Sequence, residues 1–447
     1  MSARRRPSLR LLHTAGARAA ACATVLAVLL SACGLLPARF GGTDTSPITV
    51  MTWAPWGTGA TRMPGMPAMA QAYAKWVNAH GGLGGHPLQV LTCNEQDSPT
   101  EAAGCARRAV SHHVVAVVGS YSRYARDFLG PLELNDIPYL GGYGVSAEEF
   151  DSPLSYPVNG GAATVLAGNG VQLARGCDRV AVVRPDSVEG DQMPSFVAAG
   201  LRAAHHSGVR DVPAPEDATD YAPQARRALT AAEAGSTAGG SGCVTAALGE
   251  DTGTFFDAYQ RLAPSGTGSA ADSSSASSPV RVSSVLGSVS QSLVNQLGGS
   301  SGPLADALVT GWYPPVDDRR WAPMRKVVQD YAFDDDRIDP GDSGVQTTWI
   351  AYTVLRAVVG QMQAQGVTDI TASALQRTLD RGGKAVSTGG LTPPLRWRRQ
   401  DLLGVPGYPR IVNALVTLQT VRDGRLVASR RGFVDVTRAL QETDGPS

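Results

Sequence analysis

The fold of this chain is decided by residues Trp76–Ser122, which read WVNAHGGLGGHPLQVLTCNEQDSPTEAAGCARRAVSHHVVAVVGSYS. The segment begins inside an apolar helix pattern, Met66–His80, which ends at a glycine pair. The run at 87–93 then predicts a strand, and SPTE at 98–101 opens a helix with Ser as N-cap, Pro first and Glu third. The continuous apolar run Val114–Ser120 is typical of a strand buried on both faces. This alternation predicts an open parallel sheet covered by helices.

The same alternation continues along the rest of the chain. Further strands are predicted at Pro47–Trp53, Ile137–Gly144, Arg179–Pro185 and Cys243–Leu248, with helical patterns between them. Near the C-terminus, ALVTLQTVRDGRLVAS places an Asp-Gly pair between two alternating runs, which indicates a β-hairpin. The predicted fold class is therefore α/β, with mostly parallel sheets flanked by helices.

The N-terminus has the pattern of an export signal. Five arginines and no acidic residue precede Ala19–Ala32, a run of fourteen residues without a charge. A bilayer core requires roughly 20 apolar residues, so a cleaved signal peptide is favoured over a membrane-spanning helix. The sequence Leu30–Cys33 resembles the bacterial lipobox, in which the chain is cut before a lipidated cysteine. We therefore expect a signal peptide at 1–32, lipidation of Cys33 and a tether at 33–46; the alternative is an ordinary secretory signal.

Charge and size restrict the class of protein. The 447 residues carry 39 basic and 39 acidic side chains, and loss of the five signal arginines leaves 34 basic against 39 acidic. The resulting net charge of about −5 gives no reason to expect nucleic-acid binding, which needs basic patches. A mature chain of this length is too large for one ordinary core, so two domains are expected.

Four cysteines are left outside the signal and the lipidation site. In an oxidising compartment they suggest two disulfides. Cys177 and Cys243 each directly precede an apolar run, so they lie at one sheet edge if the two runs are neighbouring parallel strands. Cys93 closes one strand and Cys105 lies in the following helix. We therefore predict the pairs Cys93–Cys105 and Cys177–Cys243. No C-x-x-C or H-x-x-x-H spacing supports the alternative of a zinc site, and no metal or cofactor is expected.

The Trp76–Ser122 block resembles the type I periplasmic solute-binding proteins, and most of all their leucine/isoleucine/valine-binding and amino-acid/urea receptor group. The shared features are the N-A-x-G-G turn, the capped helix and the V-V-G-x-x-S strand end, and IPYLGGYGVSAEEF at 137–150 matches a second family segment. The resemblance implies two α/β lobes joined by three crossovers, with the ligand held between them. It implies a first lobe of 47–157 plus about 286–400, and a second of 158–285 plus about 401–440.

The ligand is expected at the strand ends of the first lobe. Open α/β sheets bind ligands beyond the carboxyl ends of their strands. Here these ends are three loops rich in Gly, hydroxyl and aromatic residues, at 54–62, 119–126 and 141–149, which include Ser120, Tyr121 and Tyr143.

The resemblance implies individual roles in the first lobe. Ser146 occupies the position of a hydroxyl that binds the ligand carboxylate, and Gly144 that of a contributing backbone group. Trp56 lies where an aromatic ring covers the ligand. Ser122 matches the family serine, and the neighbouring Arg123 either pairs with a ligand carboxylate or faces solvent as an ordinary charge.

The second lobe departs from the family pattern. Glu189 stands where the family often has a tyrosine, and Ser288 where an acid usually receives the ligand ammonium, with Glu250 or Asp251 as substitutes. Other residues received structural interpretations: Glu148 and Glu149 as acids that favour a helix N-terminus, and Trp312 and Tyr313 as core or hinge packing.

The leading hypothesis is a lipid-anchored, monomeric solute-binding protein on the outer face of the cytoplasmic membrane. It delivers a small polar ligand, an amino acid or a related amide or carboxylate, to an ABC permease. One alternative is a lipoprotein of the same fold that senses a ligand for a membrane signalling partner. Another is an exported hydrolase using Ser120, Ser122 or Ser146, although no G-x-S-x-G elbow occurs.

Overall fold

The structure is a computed structural model that describes residues 46–57, 61–206, 208–233, 241–262 and 280–442. The predicted signal peptide, Cys33 and all of the tether except Ser46 lie outside these ranges.

The first sheet has five strands, all parallel, in the order β2-β1-β3-β4-β5. The strands are β1 (Ile48–Ala54), β2 (Leu88–Asn94), β3 (Ala116–Val118), β4 (Tyr139–Leu140) and β5 (Ser155–Tyr156). Alternate residues of β1 enter different cores: Val50 packs on one face of the sheet and Met51 and Trp53 on the other. Both faces are thus buried, as the apolar runs predicted.

Helices cover both faces of this sheet. They are α1 (Gly65–Ala79), α2 (Pro99–Ser111), α3 (Ala125–Glu133), α10 (Ala322–Tyr331), α11 (Ser343–Ala364) and α12 (Ala372–Arg381). Helices α2 and α3 pack together on one face, and α1 packs with α10 and α11 on the other. Helix α2 begins after Ser98, as predicted, although the Ser98 side chain makes no capping hydrogen bond.

The second sheet has the order β12-β11-β10-β9-β8-β6-β7, with β13 paired to β11. Its strands are β6 (Arg179–Pro185), β7 (Val209–Ala214), β8 (Gly242–Ala246), β9 (Arg281–Val285), β10 (Leu308–Gly311), β11 (Leu415–Arg422), β12 (Arg425–Ala428) and β13 (Val434–Asp435). The strands from β7 to β10 are parallel, and β11 is antiparallel to its neighbours. The predicted hairpin joins β11 to β12, and its turn residues Asp423 and Gly424 both have positive φ, as a tight hairpin turn requires.

The helices of the second lobe are α4 (Gly161–Leu173), α5 (Val188–Asp191), α6 (Met193–Arg202), α7 (Ala222–Glu233), α8 (Thr252–Leu262), α9 (Gln291–Gln296) and α13 (Thr437–Gln441). Helices α4 and α6 pack closely together, and α4 also contacts β9, β10 and β11. None of the described helices combines the length and the apolar character that crossing a membrane requires.

The chain passes between the two sheets three times, after β5, after β10 and before β11. The second of these crossings corrects the expected lobe boundary. Residues from about 286 were expected in the first lobe, but β10 pairs with β9 and β11 in the second sheet. The short β10 is apolar like the strands of both lobes, so its sequence does not reveal which sheet it joins.

Both predicted disulfides are present. Cys93 pairs with Cys105 at a Cα–Cα distance of 5.8 Å, and Cys177 with Cys243 at 5.7 Å. The strand-order argument for the second pair is confirmed, because β6 and β8 are parallel neighbours in which Val180 lies opposite Cys243.

Candidate functional site

A cleft that is open to solvent lies at the carboxyl ends of the parallel strands of both sheets. Its walls come from described residues of the loops that follow β1, β3, β4, β6, β7, β8, β9 and β10, together with the N-terminal half of α4. Carboxyl ends of parallel strands are where open α/β sheets bind ligands. Eight of the twelve candidate residues line this cleft: Tyr121, Arg123, Tyr143, Gly144, Glu189, Glu250, Asp251 and Ser288.

Three aromatic rings form one wall. The ring centroids of Tyr121 and Tyr143 are 5.2 Å apart, and Trp312 stands edge-on to Tyr143 at 5.3 Å. The Trp312 indole donates to the Gly161 carbonyl at 2.8 Å, and the Tyr143 hydroxyl bonds the Ser343 hydroxyl at 2.7 Å. Because these polar groups are already bonded, the rings offer the cleft mainly apolar surface.

A second part of the cleft lining is aliphatic. Val165 and Leu166 line the cleft from α4, Val285 is the last residue of β9, and Leu248 and Leu286 follow β8 and β9. All five are buried or nearly so. Two apolar walls with few polar groups between them are the usual construction of a small-molecule site.

Gly144 and Gly287 allow the two lobes to meet at the base of the cleft. Gly144 has φ +87°, and a Cβ there would lie 2.9 Å from the Cα of Gly161. Gly287 has φ +99°, and a Cβ there would lie 2.5 Å from the Tyr143 hydroxyl. Positive φ and close approach together require glycine at both positions.

Arg123 faces the cleft, but its guanidinium is already bonded. Nε and Nη2 bind the Asp97 carboxylate at 3.0 and 3.3 Å, and Nη1 binds Glu216 of the second lobe at 2.7 Å. Burial opposes the charge on Arg123, but Asp97 and Glu216 outweigh it and raise the pKa of the guanidinium. The arginine therefore joins the two lobes as a permanent cation.

A second ion pair crosses the cleft at its rim. The Arg62 backbone N–H donates to Glu250 at 2.7 Å, and the Arg62 side chain lies 3.5 Å from the same carboxylate. Asp251 is next in the chain and half-buried. Burial raises the pKa of Asp251, and a hydrogen bond with Tyr221 opposes the rise.

Glu149 occupies a site made of backbone amides. Its carboxyl oxygens accept the N–H groups of Gly144, Val145 and Ser146 at 3.2, 2.9 and 3.3 Å. Burial raises the pKa of Glu149 to about 7, although these three hydrogen bonds oppose the rise. Glu149 was expected to be an acid at a helix N-terminus, and it does lie in the first turn of a short 3-10 helix, Glu148–Phe150. Its buried side chain folds back onto the 141–149 loop and accepts the amides of that loop.

Four candidate contacts, all of them described residues, do not line the cleft. The Ser120 hydroxyl accepts the Trp53 N–H at 3.0 Å, and Ser122 donates to the buried Glu95 at 3.1 Å. Ser146 is buried, and its hydroxyl has no hydrogen-bond partner among the described residues. The backbone of Trp56 is held through its N–H and C=O by the Asn94 amide, beside the end of β1. The Ser120 and Ser122 side chains thus support the first-lobe loops instead of facing the cleft.

Glu95 is the buried acid that Ser122 contacts. Burial raises the pKa of Glu95 to about 7, and the hydrogen bond from Ser122 lowers it. Like Glu149, it sits beneath a strand-end loop of the first lobe and does not line the cleft.

Sequence reasoning missed several residues of the cleft. Glu216 follows β7, whose first half is polar and partly exposed. The strand therefore lacks the apolar run that marked the other strands. Trp312 was expected to pack in the core or hinge. It is buried, as packing requires, and its ring also borders the cleft. Its position directly after an apolar strand was the signal that could have placed it there. Across the described residues, no group of three or more His, Cys, Asp or Glu side chains could hold a metal ion.

The sequence matches the family model described as periplasmic binding protein over residues 51–402. A search of curated protein sequences found no match.

Solved structures show the same fold at low identity. An extracellular ligand-binding receptor from Verminephrobacter eiseniae has 14% identity and a TM-score of 0.67, over 85% of this chain and 99% of the other. A fatty acid ABC transporter substrate-binding protein from Thermomonospora curvata has 12% identity and a TM-score of 0.68, over 91% and 96%. A leucine-binding protein from Thermotoga maritima has 14% identity and a TM-score of 0.63, over 87% of this chain and 99% of the other.

Proposed function

Because the chain belongs to the periplasmic binding protein family, we propose that it is a lipid-anchored solute-binding protein that captures a small ligand between its lobes and delivers it to an ABC permease. Membership implies a location outside the cytoplasm and a fold of binding and transport receptors rather than of enzymes. The anchor rests on the lipobox-like sequence that ends at Cys33.

The observation that carries the proposal is the cleft itself. It lies where two sheets direct their strand ends toward each other, and its walls come from both lobes. Two ion pairs, Arg123–Glu216 and Arg62–Glu250, link the walls across it. A ligand held between the lobes would add to these contacts and favour the closed arrangement, which is how a receptor signals occupancy to a membrane partner.

The ligand class is not settled by family membership. The sequence resemblance favours an amino acid or a related small polar molecule. The structural relatives include a protein named for leucine and one named for fatty acids. At such low identity the relatives share the fold, and the ligand class is inferred from the residues that line the cleft.

One experiment tests anchor and partner together. The full-length chain and its Cys33→Ser variant are expressed with the native membrane proteins, and partners are captured from detergent-solubilised membranes. The wild type is expected in the membrane fraction with an ABC permease subunit, whereas Cys33→Ser is expected to stay unprocessed or to enter the medium. A variant that still partitions with the membrane would refute the lipobox interpretation. Capture of a histidine kinase instead of a permease would support the sensor alternative.

A further inference from the structure

Among the described residues, the two strongest receptors for a ligand carboxylate in the cleft are already occupied by acids of the protein itself. The three adjacent amides at 144–146 converge on one carboxyl group, and Glu149 of the same loop already fills them. Among the described residues, Arg123 is the only basic side chain that lines the cleft, and Asp97 and Glu216 occupy its Nε and both Nη atoms. A ligand carboxylate would have to displace one of these internal acids.

The charge of the walls also disfavours an anion. Glu189, Glu216, Glu250 and Asp251 line the cleft against the single cation Arg123, which leaves a formal balance of −3. Adding the ion-pair partners Asp97 and Arg62 contributes one charge of each sign and leaves this balance unchanged. Neither Glu189 nor Asp251 lies within ion-pair distance of a described basic residue, whereas Glu216 and Glu250 do. The exposed Arg126 acts on Glu189 only through space and is itself paired with Glu148. Two acids thus line the cleft without a direct ion-pair partner.

The remaining surface suits a hydrophobic body. The cleft is lined by the aromatic rings of Tyr121, Tyr143 and Trp312 and by aliphatic side chains that include Leu166 and Val285. Faces of tyrosine and tryptophan attract cations as well as apolar groups, and the attraction increases when water is excluded. An ammonium group would therefore be stabilised by the rings and by the acids together.

We propose that the cleft binds an apolar amine: a protonated amino group on a hydrophobic, ring-sized body, without a carboxylate. The proposal rests on the proposed function, since it names the ligand class of the same cleft. The hydrophobic body packs between the two walls, and the ammonium group faces Glu189 and Asp251. An α-amino acid shares the ammonium group, but its carboxylate enters a cleft in which Arg123 and the 144–146 amides are already bonded to acids of the protein.

Four probes that share one phenyl ring but differ in charge test which charged group the cleft prefers. The mature chain is titrated by calorimetry with 2-phenylethylamine, 3-phenylpropionate, phenylalanine and the neutral 2-phenylethanol. The amine is expected to bind at least about tenfold more tightly than the acid or the amino acid. Equal or tighter binding of phenylpropionate or phenylalanine overturns the inference and leaves the proposed function standing. If no probe binds, the inference is also overturned, and the permease capture still decides the proposed function separately.

Two variants test the role of the acids. The double variant Glu189→Gln/Asp251→Asn is expected to weaken the amine by roughly tenfold and to leave 2-phenylethanol unchanged, because each partly exposed charge contributes only modestly. Asp369→Asn is the matched control, since Asp369 is exposed and lies outside the cleft. An equal loss for amine and alcohol would show that the acids only shape the loops, and an unchanged amine affinity would show that they do not contact it; either result overturns the proposal.

Discussion

The two lobes place acidic residues at their strand ends in opposite ways. In the first lobe, Glu95 and Glu149 turn inward and accept hydrogen bonds from Ser122 and from three backbone amides. In the second lobe, Glu216, Glu250 and Asp251 follow β7 and β8 and line the cleft. Both sets follow parallel strands, so topology alone does not account for the difference.

The difference shows how the work of the cleft is divided. A carboxylate that satisfies its own loop holds that loop in one conformation, at the cost of being buried. A carboxylate at the rim remains free to meet a partner, whether an arginine of the other lobe or a ligand. In the first lobe these acids therefore stabilise their own loops, whereas the second lobe supplies the negative charge of the cleft.

The largest expected change in stability comes from removing the disulfides, one in each lobe. Cys177–Cys243 spans 66 residues and Cys93–Cys105 spans 12. Closing the longer loop removes more entropy from the unfolded chain. Replacing Cys177 and Cys243 with serine should therefore lower the free energy of unfolding by about 4 kcal/mol, and replacing Cys93 and Cys105 by about 3 kcal/mol. Urea unfolding of the two double variants measures both. A larger loss from the shorter bridge would show that the first lobe depends on its disulfide more than its loop length implies.

The second prediction concerns pH and the buried acids. Burial raises the pKa of Glu95 and of Glu149 from 4.5 to about 7. Between these values the folded chain keeps protons that the unfolded chain has lost. Their stabilising contribution is thus fully present below about pH 4.5 and is lost as pH rises through about 7, by up to about 3 kcal/mol for each group.

Melting temperature against pH, measured for the wild type and for Glu149→Gln, tests this directly. The variant is expected to lose its share of the decline between pH 4.5 and 7. Asp251→Asn is the comparison from the second lobe, where the half-buried acid should contribute less. If Glu149→Gln kept the full decline while Asp251→Asn flattened it, the contrast between the lobes would be reversed.

The smallest expected effect lies at the rim. Arg62 and Glu250 form an exposed pair whose charged atoms are 3.5 Å apart, so Glu250→Gln should reduce the free energy of unfolding by less than about 1 kcal/mol. A double-mutant cycle with Arg62→Gln isolates the coupling between the two side chains. Coupling above about 2 kcal/mol would mean that this pair is a main link between the lobes.

Local patterns were sufficient for much of the fold. Apolar runs and helix patterns predicted the α/β class, and the cysteines before two such runs predicted the bridge between β6 and β8. An Asp-Gly pair between alternating runs predicted the β11–β12 hairpin. These features depend on residues close in the chain or on the simple rule that parallel strands align their ends, and a sequence displays both.

The candidate site was predicted only as a set of loops. The predicted strand-end loops do border a cleft, and Tyr121, Tyr143, Glu250 and Asp251 line it. Which way a loop side chain points depends on partners that are distant in sequence. Arg123 faces the cleft because Glu216, 93 residues away, receives it. Nothing within the loop itself records that contact.

The sequence by itself determined most of the strands and helices, the fold class and the disulfides, because periodicity, turn residues and strand ends are local properties. Only the tertiary structure decided that β10 joins the second sheet, that Glu149 fills the amides of its own loop, and that Trp312 borders the cleft. Each of these depends on which surfaces meet after folding. Contacts with residues distant in the sequence set the direction of a side chain, and burial changes the pKa of an acidic one.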